Sequence, residues 1–309
     1  MQHYNLLAVV GATASGKTRL GVALARVLQG EIISADSRQV YCGLDLGTGK
    51  DLHEYGEVPY HLIDIASPGT EFNLFDFQRH FFLAFTDISS RSRLPILVGG
   101  SGMYLDCVLR SYRLAEVPAN RVLRAELASL SMDELIARLK GATDRLHNTT
   151  DLTDRDRLVR AIEIAEAPAA REDAFPEVRP LVLGIRWERA ALRERITARL
   201  KERLEAGLVE EVRELLSAGV SHEKLDFLGL EYRYLGRHLK GELSRNDMFQ
   251  KLNSAIHDFA KKQENWFRRM EKHGTVIHWV EGAGDPLSEA LALIERLDVD
   301  PEPPRSSTP

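Results

Sequence analysis

Residues 11 to 18 read GATASGKT, a complete match to the phosphate-loop pattern GxxxxGK(S/T). An apolar run, Leu6-Leu7-Ala8-Val9-Val10, precedes it. A stretch with apolar residues at Leu20, Ala23, Leu24, Val27 and Leu28 follows it. The first reads as a strand and the second as a helix, which is the context in which the pattern has a mechanism. Gly11 and Gly16 let the backbone curl so that successive N–H groups turn toward one point. The dipole of the following helix adds positive potential at the same place. Gly11, Ala12, Thr13, Ala14, Ser15, Gly16, Lys17 and Thr18 therefore form a candidate anion cradle. Lys17 can neutralise a terminal phosphate and the Thr18 hydroxyl can ligate Mg²⁺. The chain is expected to bind a di- or triphosphate group.

The alternation continues beyond the loop. Glu31-Ile32-Ile33-Ser34 reads as a second strand ending at Ala35-Asp36-Ser37, and Tyr60 to Ile65 as a third. An amphipathic helix over about residues 76–88 leads to a strand, Pro95-Ile96-Leu97-Val98, that runs into Gly99-Gly100-Ser101-Gly102. Strands alternating with helices predict an α/β fold, a parallel sheet of the P-loop NTPase type flanked by helices. Ligands then gather at the carboxyl ends of the strands, so Gly11, Asp36 and Gly99 are expected to converge on one crevice.

From about Leu114 to Ala167 the pattern is helical and charged, and Pro180-Leu181-Val182-Leu183-Gly184-Ile185 returns to strand character. A helical insertion domain over residues 114–179 is thus expected within a core made of 1–113 and 180–299. Long helices are predicted over Arg189–Ala206, Leu208–Ala218 and Asp247–Lys272. A final strand over Val276–Val280, a closing helix over Leu287–Leu297 and a disordered tail over 300–309 complete the expectation.

An apolar content of 44% is ordinary for a globular chain. No apolar run approaches the roughly 20 residues of a membrane helix. The passage from Met1 straight into the first strand gives no expectation of a signal peptide. Cys42 and Cys107 stand singly, implying neither a zinc site nor a disulfide framework, so a cytoplasmic location is expected. A net charge of -5 argues against a nonspecific nucleic-acid coat. Local basic clusters remain: Lys261-Lys262, Arg268-Arg269 and Lys272, and Arg186 to Arg199. By themselves these read as solvated helix faces.

Two absences set the chain apart from an ordinary nucleotide hydrolase or kinase. The strand Ile96-Leu97-Val98 ends in Gly99-Gly100 where a metal-holding aspartate would be expected, and no arginine-rich lid is evident. The glycines read as a close approach of backbone to ligand, or as a tight turn. The segment Ser34-Ala35-Asp36-Ser37-Arg38-Gln39-Val40-Tyr41 places an acid, a hydroxyl, a guanidinium and an amide in succession at a strand end. Asp36 there is a candidate metal ligand, general base or helix cap.

Taken together, GATASGKT, ADSRQVY, the YHLID strand, GGSGMY and FAKKQENWFRR are similar to the motifs of the tRNA dimethylallyltransferases (tRNA isopentenyltransferases). The resemblance runs from about Leu7 to Trp279 with the motifs in family order. It implies transfer of the dimethylallyl group of dimethylallyl diphosphate to the exocyclic amine of the adenine immediately 3′ of the anticodon, in tRNAs reading codons that begin with U. By position, the phosphate loop would hold the diphosphate leaving group with Mg²⁺ as cofactor, and Arg199 would join it. Asp36 would accept the proton of the attacking amine, with Ser101 and Lys17 completing the reacting centre. Ser37, Arg38 and Gln39 would line the approach of the flipped base. Asp154, Arg157 and Arg160 of the insertion, with Lys261, Lys262, Gln263 and Arg268 of the late helix, would meet the anticodon stem-loop. A monomer is expected.

The chain departs from the family pattern in places. Ala12 replaces proline, Gly49-Lys50-Asp51 replaces AKP, and Glu231-Tyr232-Arg233-Tyr234 replaces GY(K/R)E, while the return loop near Arg171 is short. These changes are expected to touch RNA-facing surfaces more than the transfer centre. The alternatives are a P-loop small-molecule kinase, a transferase acting on free adenine nucleotides, and a noncatalytic RNA-binding module.

Overall fold

The computed structural model describes residues 4–112, 114, 116–143, 152–167 and 175–299. Six strands form one parallel sheet: β1 Leu6–Gly11, β2 Gly30–Ala35, β3 Tyr60–His61, β4 Leu94–Gly99, β5 Pro180–Arg186 and β6 His278–Glu281. Their order across the sheet is β3-β2-β4-β1-β5-β6. Each of β1, β2 and β4 is covered on both faces, which is why they read as continuous apolar runs rather than alternating ones. On one face, Leu7, Val9, Ile96, Val98, Leu183 and Ile185 pack against α1 (Lys17–Leu28) and α12 (Pro286–Val299). α2 (Leu74–Ser90) packs on β2 and β4, and α3 (Gly102–Leu109) packs on α2 and on α11 (Arg245–Lys272). A second apolar cluster joins α7 (Arg189–Glu205), α8 (Leu208–Ser217), α9 (His222–Leu228), α10 (Leu230–Leu239) and α11 to Ala12, Ala14, Val40, Tyr41 and Leu44.

Three local differences from the sequence expectation have physical causes. The third strand is two residues long, because Leu62 and Asp64 adopt left-handed φ values of 64° and 55°. That bend returns Asp64 to the fully buried Lys50 ammonium, which also binds Asp45 at 2.7 Å and the Tyr41 carbonyl at 2.9 Å. α2 starts two residues before Asp76, since Asn73 and Asp76 form a capping box. Helices α9 and α10 were not foreseen. Ser221 caps the first at Lys224 N–H, and buried Leu225, Leu228, Tyr232 and Leu235 supply the apolar face.

The chain divides into two compact units, residues 1–112 with 176–309, and residues 113–175. The second unit holds α4 (Arg121–Ala128), α5 (Met132–Ala142) and α6 (Arg155–Glu166) around Leu123, Leu127, Leu135, Leu139, Leu158 and Ile162. The buried Glu163 carboxylate ties this unit together, accepting from Arg124, Arg160 and the Asn120 N–H. The expected tail 300–309 and the short return loop near Arg171 lie outside the described residues. Among the described residues no helix is long and apolar enough to cross a membrane.

Candidate active site

The carboxyl ends of β2, β4 and β1 are neighbours, so Asp36, Gly99 and the phosphate loop do meet at one edge of the sheet. The loop itself is bent by left-handed residues at Ala14 (φ 61°) and Gly16 (φ 90°). Three side chains from far along the chain hold it in that shape. Trp187 Nε1 donates to the Ser15 carbonyl and Arg195 Nε donates to the Ala14 carbonyl, each at 2.9 Å. The Arg195 guanidinium lies 4.2 Å from the Trp187 ring centroid. Gln263 accepts from Thr13 N–H at 2.8 Å and donates to the Gly100 carbonyl at 2.9 Å, tying the loop to the end of β4. With its carbonyls held this way, the loop leads into α1, whose N-cap, Gly16, offers no side-chain acceptor and whose first turn holds no acid. The open first-turn N–H groups and the helix dipole then favour an anion. The Ser15 hydroxyl is buried with no hydrogen-bond partner among the described residues.

Lys17 lies among these groups. Its enclosure by protein lowers its pKa to about 8, while Asp36 pulls the other way. Because the folded value lies below the ordinary 10.5, the charged ammonium weighs against folding at pH below about 8, and that penalty fades as pH rises past 8. Anion binding has the opposite preference, since it needs the ammonium. Affinity for an anionic ligand is therefore expected to fall as pH rises through 8, and binding near pH 8 should take up protons. Calorimetry in two buffers of different ionisation enthalpy, with Lys17→Met as the control lacking this component, checks the expectation.

Asp36 opens a turn in which its Oδ1 accepts from Arg38 N–H at 2.9 Å, and its Oδ2 has no hydrogen bond among the described residues. Ser101 is joined to the same turn. Its N–H donates to the Ala35 carbonyl at 3.2 Å, and its hydroxyl accepts from Ser37 N–H at 3.0 Å. That hydroxyl does not cap α3, although Ser101 is the N-cap residue. Asp36 and Ser101 are thus held side by side, with one Asp36 carboxylate oxygen unbonded among the described residues. Arg38 lies over the exposed ring of Phe227 at 4.7 Å.

Gly99 and Gly100 are glycines because the protein itself is close. A Cβ at Gly99 would sit 2.2 Å from the Ala35 carbonyl oxygen, and one at Gly100 would sit 2.4 Å from Gln263 Nε2. Internal packing by itself requires glycine at both positions.

The chain matches the family described as IPP transferase over residues 39–270, and that described as isopentenyl transferase over residues 4–58. It is 70% identical over 292 residues to tRNA dimethylallyltransferase 2 of Citrifermentans bemidjiense, covering 94% of this chain and 95% of the relative. It is 64% identical over 298 residues to tRNA dimethylallyltransferase 1 of Geotalea uraniireducens, covering 96% and 99% of the two. The chain belongs to the tRNA dimethylallyltransferase family. The crystal structure of the full-length tRNA isopentenylpyrophosphate transferase of Bacillus halodurans is similar with a TM-score of 0.70 at 30% identity, over 95% of each chain. A eukaryotic dimethylallyltransferase acting on tRNA gives a TM-score of 0.80 at 20% identity, over 98% of this chain and 81% of that one, a likeness of fold.

Within this dimethylallyltransferase several residues expected to meet RNA have other work. Gln263 is buried in the clasp just described. Gln39 is buried as well, bonded to Ser34 Oγ at 3.0 Å and to the Gly49 carbonyl at 3.1 Å. Both amides are satisfied inside the protein, because a buried polar group must be. Asp154 is the N-cap of α6, accepting from Arg157 N–H. Arg160 donates to Glu163 and to the Val117 carbonyl at 2.7 Å. Arg157, Lys261, Lys262 and Arg268 are exposed. Trp266 donates to Asp106 at 3.0 Å and packs on Gly102, so it belongs to the α3–α11 contact.

Arg199 is ion-paired to Asp51, beside Lys17. Asp51 and Glu231, two of the departures from the family pattern, sit within electrostatic reach of Lys17 and Asp36 respectively. They border the candidate transfer centre, contrary to the expectation that such changes fall on RNA-facing surfaces. Trp187 and Arg195 were missed as loop holders. The spacing Arg195–Arg199 on α7 was their one visible sign.

Proposed function

We propose that this enzyme transfers the dimethylallyl group of dimethylallyl diphosphate to the N6 amine of the adenine immediately 3′ of the anticodon, in tRNAs reading codons that begin with U, and releases diphosphate. The observation that carries the reading is the junction of an anion cradle with a free carboxylate oxygen: Asp36 and Ser101 at the mouth of the loop that holds Lys17. The names of the relatives, which are tRNA dimethylallyltransferases, support the class of both substrates. An aromatic amine is a weak nucleophile, so Asp36 removes its proton as the C–N bond forms. The diphosphate leaves with its charge met by Lys17 and the open N–H groups of the loop and α1. Ser101 holds the Asp36 turn in place. The adenine must leave its stack to reach such a site, and bases in an anticodon loop unstack at small cost.

Mg²⁺ fits the residues present. Thr18 and Ser15 offer hard hydroxyl oxygens beside the cradle, and Mg²⁺ typically takes one or two protein oxygens, phosphate oxygens and water. Among the described residues no cluster of three acids, histidines or cysteines would hold a metal unaided. When bound, the ion would neutralise charge on the departing diphosphate.

The insertion would grip the anticodon stem-loop through Arg157. Arg157→Ala is expected to weaken stem-loop binding about threefold to tenfold and to lower the salt slope by about one. Arg160→Ala should instead loosen the insertion itself, by removing one of the donors to Glu163 and the donor to the Val117 carbonyl. Filter binding across a salt series, with a thermal melt of each variant, separates the two. The enzyme would act as a monomer in the cytoplasm, in keeping with its two free cysteines.

A transfer assay with labelled dimethylallyl diphosphate, Mg²⁺ and an anticodon stem-loop tests the proposal, with AMP in a parallel reaction. Label on the stem-loop alone is expected. Label on AMP, or ATP turnover without label, would replace the reading with the free-nucleotide or kinase alternative.

A further inference from the structure

α7 places Arg195, Arg199 and Arg203 one turn apart on a single face, an arrangement that repels itself. Each arginine has a different restraint. Arg195 is held by the phosphate loop and Trp187. Arg199 donates to Asp51 Oδ2, and Arg203 Nη2 lies 3.8 Å from the same oxygen, buried without a hydrogen bond among the described residues. Both guanidinium groups lie across the backbone of Gly49, where a Cβ would meet Arg203 at 1.6 Å and Arg199 at 2.7 Å. Only a residue without a side chain leaves room for them.

Asp51 is held rigidly. Its φ of 47° excludes proline and suits aspartate or asparagine among residues with side chains. The preceding residues are fixed by buried Lys50 and by Glu211, which accepts from the N–H groups of Asp45, Leu46 and Gly47. The carboxylate is therefore anchored from the backbone outward, and an arriving anion cannot simply push it aside. Arg199, Arg203 and Asp51 all act electrostatically on Lys17, and Glu231 adds a second acid near Arg203.

We infer that Asp51 is a positioning residue for the donor: it gathers Arg199 and Arg203 beside Lys17, so that the pair meets the diphosphate in a fixed geometry. Arg203 then adds its buried positive charge beside Lys17, and Arg199 is kept from swinging to solvent. Without the carboxylate the two guanidinium groups repel and separate, and the diphosphate must reorganise them on binding.

This inference rests on the donor reading above, so its test measures binding of inorganic diphosphate with Mg²⁺ by calorimetry, alongside stem-loop binding and a thermal melt. Asp51→Asn keeps the left-handed backbone and removes the charge. It is expected to weaken diphosphate about tenfold and to leave stem-loop affinity within twofold. Asp51→Glu should recover part of the loss. In an Arg203→Met background, where repulsion is relieved, the same Asp51→Asn change should matter less than threefold. Unchanged or tighter diphosphate binding by Asp51→Asn overturns the inference, as does an equal loss for both ligands with a lowered melting point that Arg203→Met does not relieve. If the unsubstituted enzyme binds no diphosphate, the donor reading itself fails, and the two failures are distinguishable.

Discussion

Asp36→Asn is expected to lower transfer by about three orders of magnitude while diphosphate binds within threefold of the unsubstituted enzyme. General-base removal is worth about 10²- to 10⁴-fold. Asparagine is the informative choice, because its side-chain oxygen can still accept from Arg38 N–H and so preserves the turn that carries Ser37 and Arg38. The loss is then one of proton acceptance rather than architecture. The cradle is untouched, since none of the three side chains that hold the loop touches Asp36. One secondary effect follows from electrostatics. Asp36 raises the pKa of Lys17 against the effect of enclosure, so its neutralisation lets Lys17 lose its proton at a lower pH. The comparison belongs near pH 7, by single-turnover transfer to a stem-loop and by calorimetry with diphosphate. A variant keeping more than a tenth of the rate would remove Asp36 from the role of base.

Gln263→Leu should produce a large stability change for a single site around the crevice. It strips the partner from Thr13 N–H and from the Gly100 carbonyl at once. Each buried group left unpaired costs about 1–3 kcal/mol, so a combined loss of about 3 kcal/mol is expected. For a 309-residue chain that corresponds to a fall in melting midpoint of roughly 5 °C. Gln263→Glu keeps the acceptor for Thr13 N–H but buries a charge and sets a carboxylate oxygen against the Gly100 carbonyl, so a loss at least as large is expected. Both variants should also weaken diphosphate, because the loop loses its tie to β4. A leucine variant that melts within 1 °C of the unsubstituted enzyme would show that the clasp is incidental.

The parts of this molecule that were legible in its sequence are those written over short distances. The phosphate loop, the strand before it and the helix after it lie within about 25 consecutive residues, and each carries its own periodicity or turn chemistry. The meeting of Gly11, Asp36 and Gly99 followed from sheet topology, which parallel alternation largely dictates. What stayed hidden depends on contacts that no local pattern encodes. Gln263 looks like any polar residue on a charged helix, yet its partner Thr13 is 250 positions away. Gln39, in a segment rich in polar groups, reads as exposed until Ser34 and Gly49 are seen around it. The third strand looked six residues long because Leu62, Ile63 and Ile65 are apolar, and the pull of Lys50 on Asp64 could not be read from them. Helices α9 and α10 were missed for a different reason. Their apolar spacing was present, but the helix break at Gly229 split it into two short pieces.

The restraint of the phosphate loop by Trp187, Arg195 and Gln263 also orders events in time. The first eighteen residues are synthesised long before the residue that clasps them. At roughly 5–20 residues per second, a separation of 250 positions amounts to a delay of roughly 12–50 s. Trp187 and Arg195 emerge earlier, but until the end of that interval the nascent chain carries a complete phosphate-loop sequence without the full set of side chains that shape it. The cradle can therefore take up its final form only when almost the whole core has been made, and an unfinished polypeptide is poorly equipped to sequester the prenyl donor.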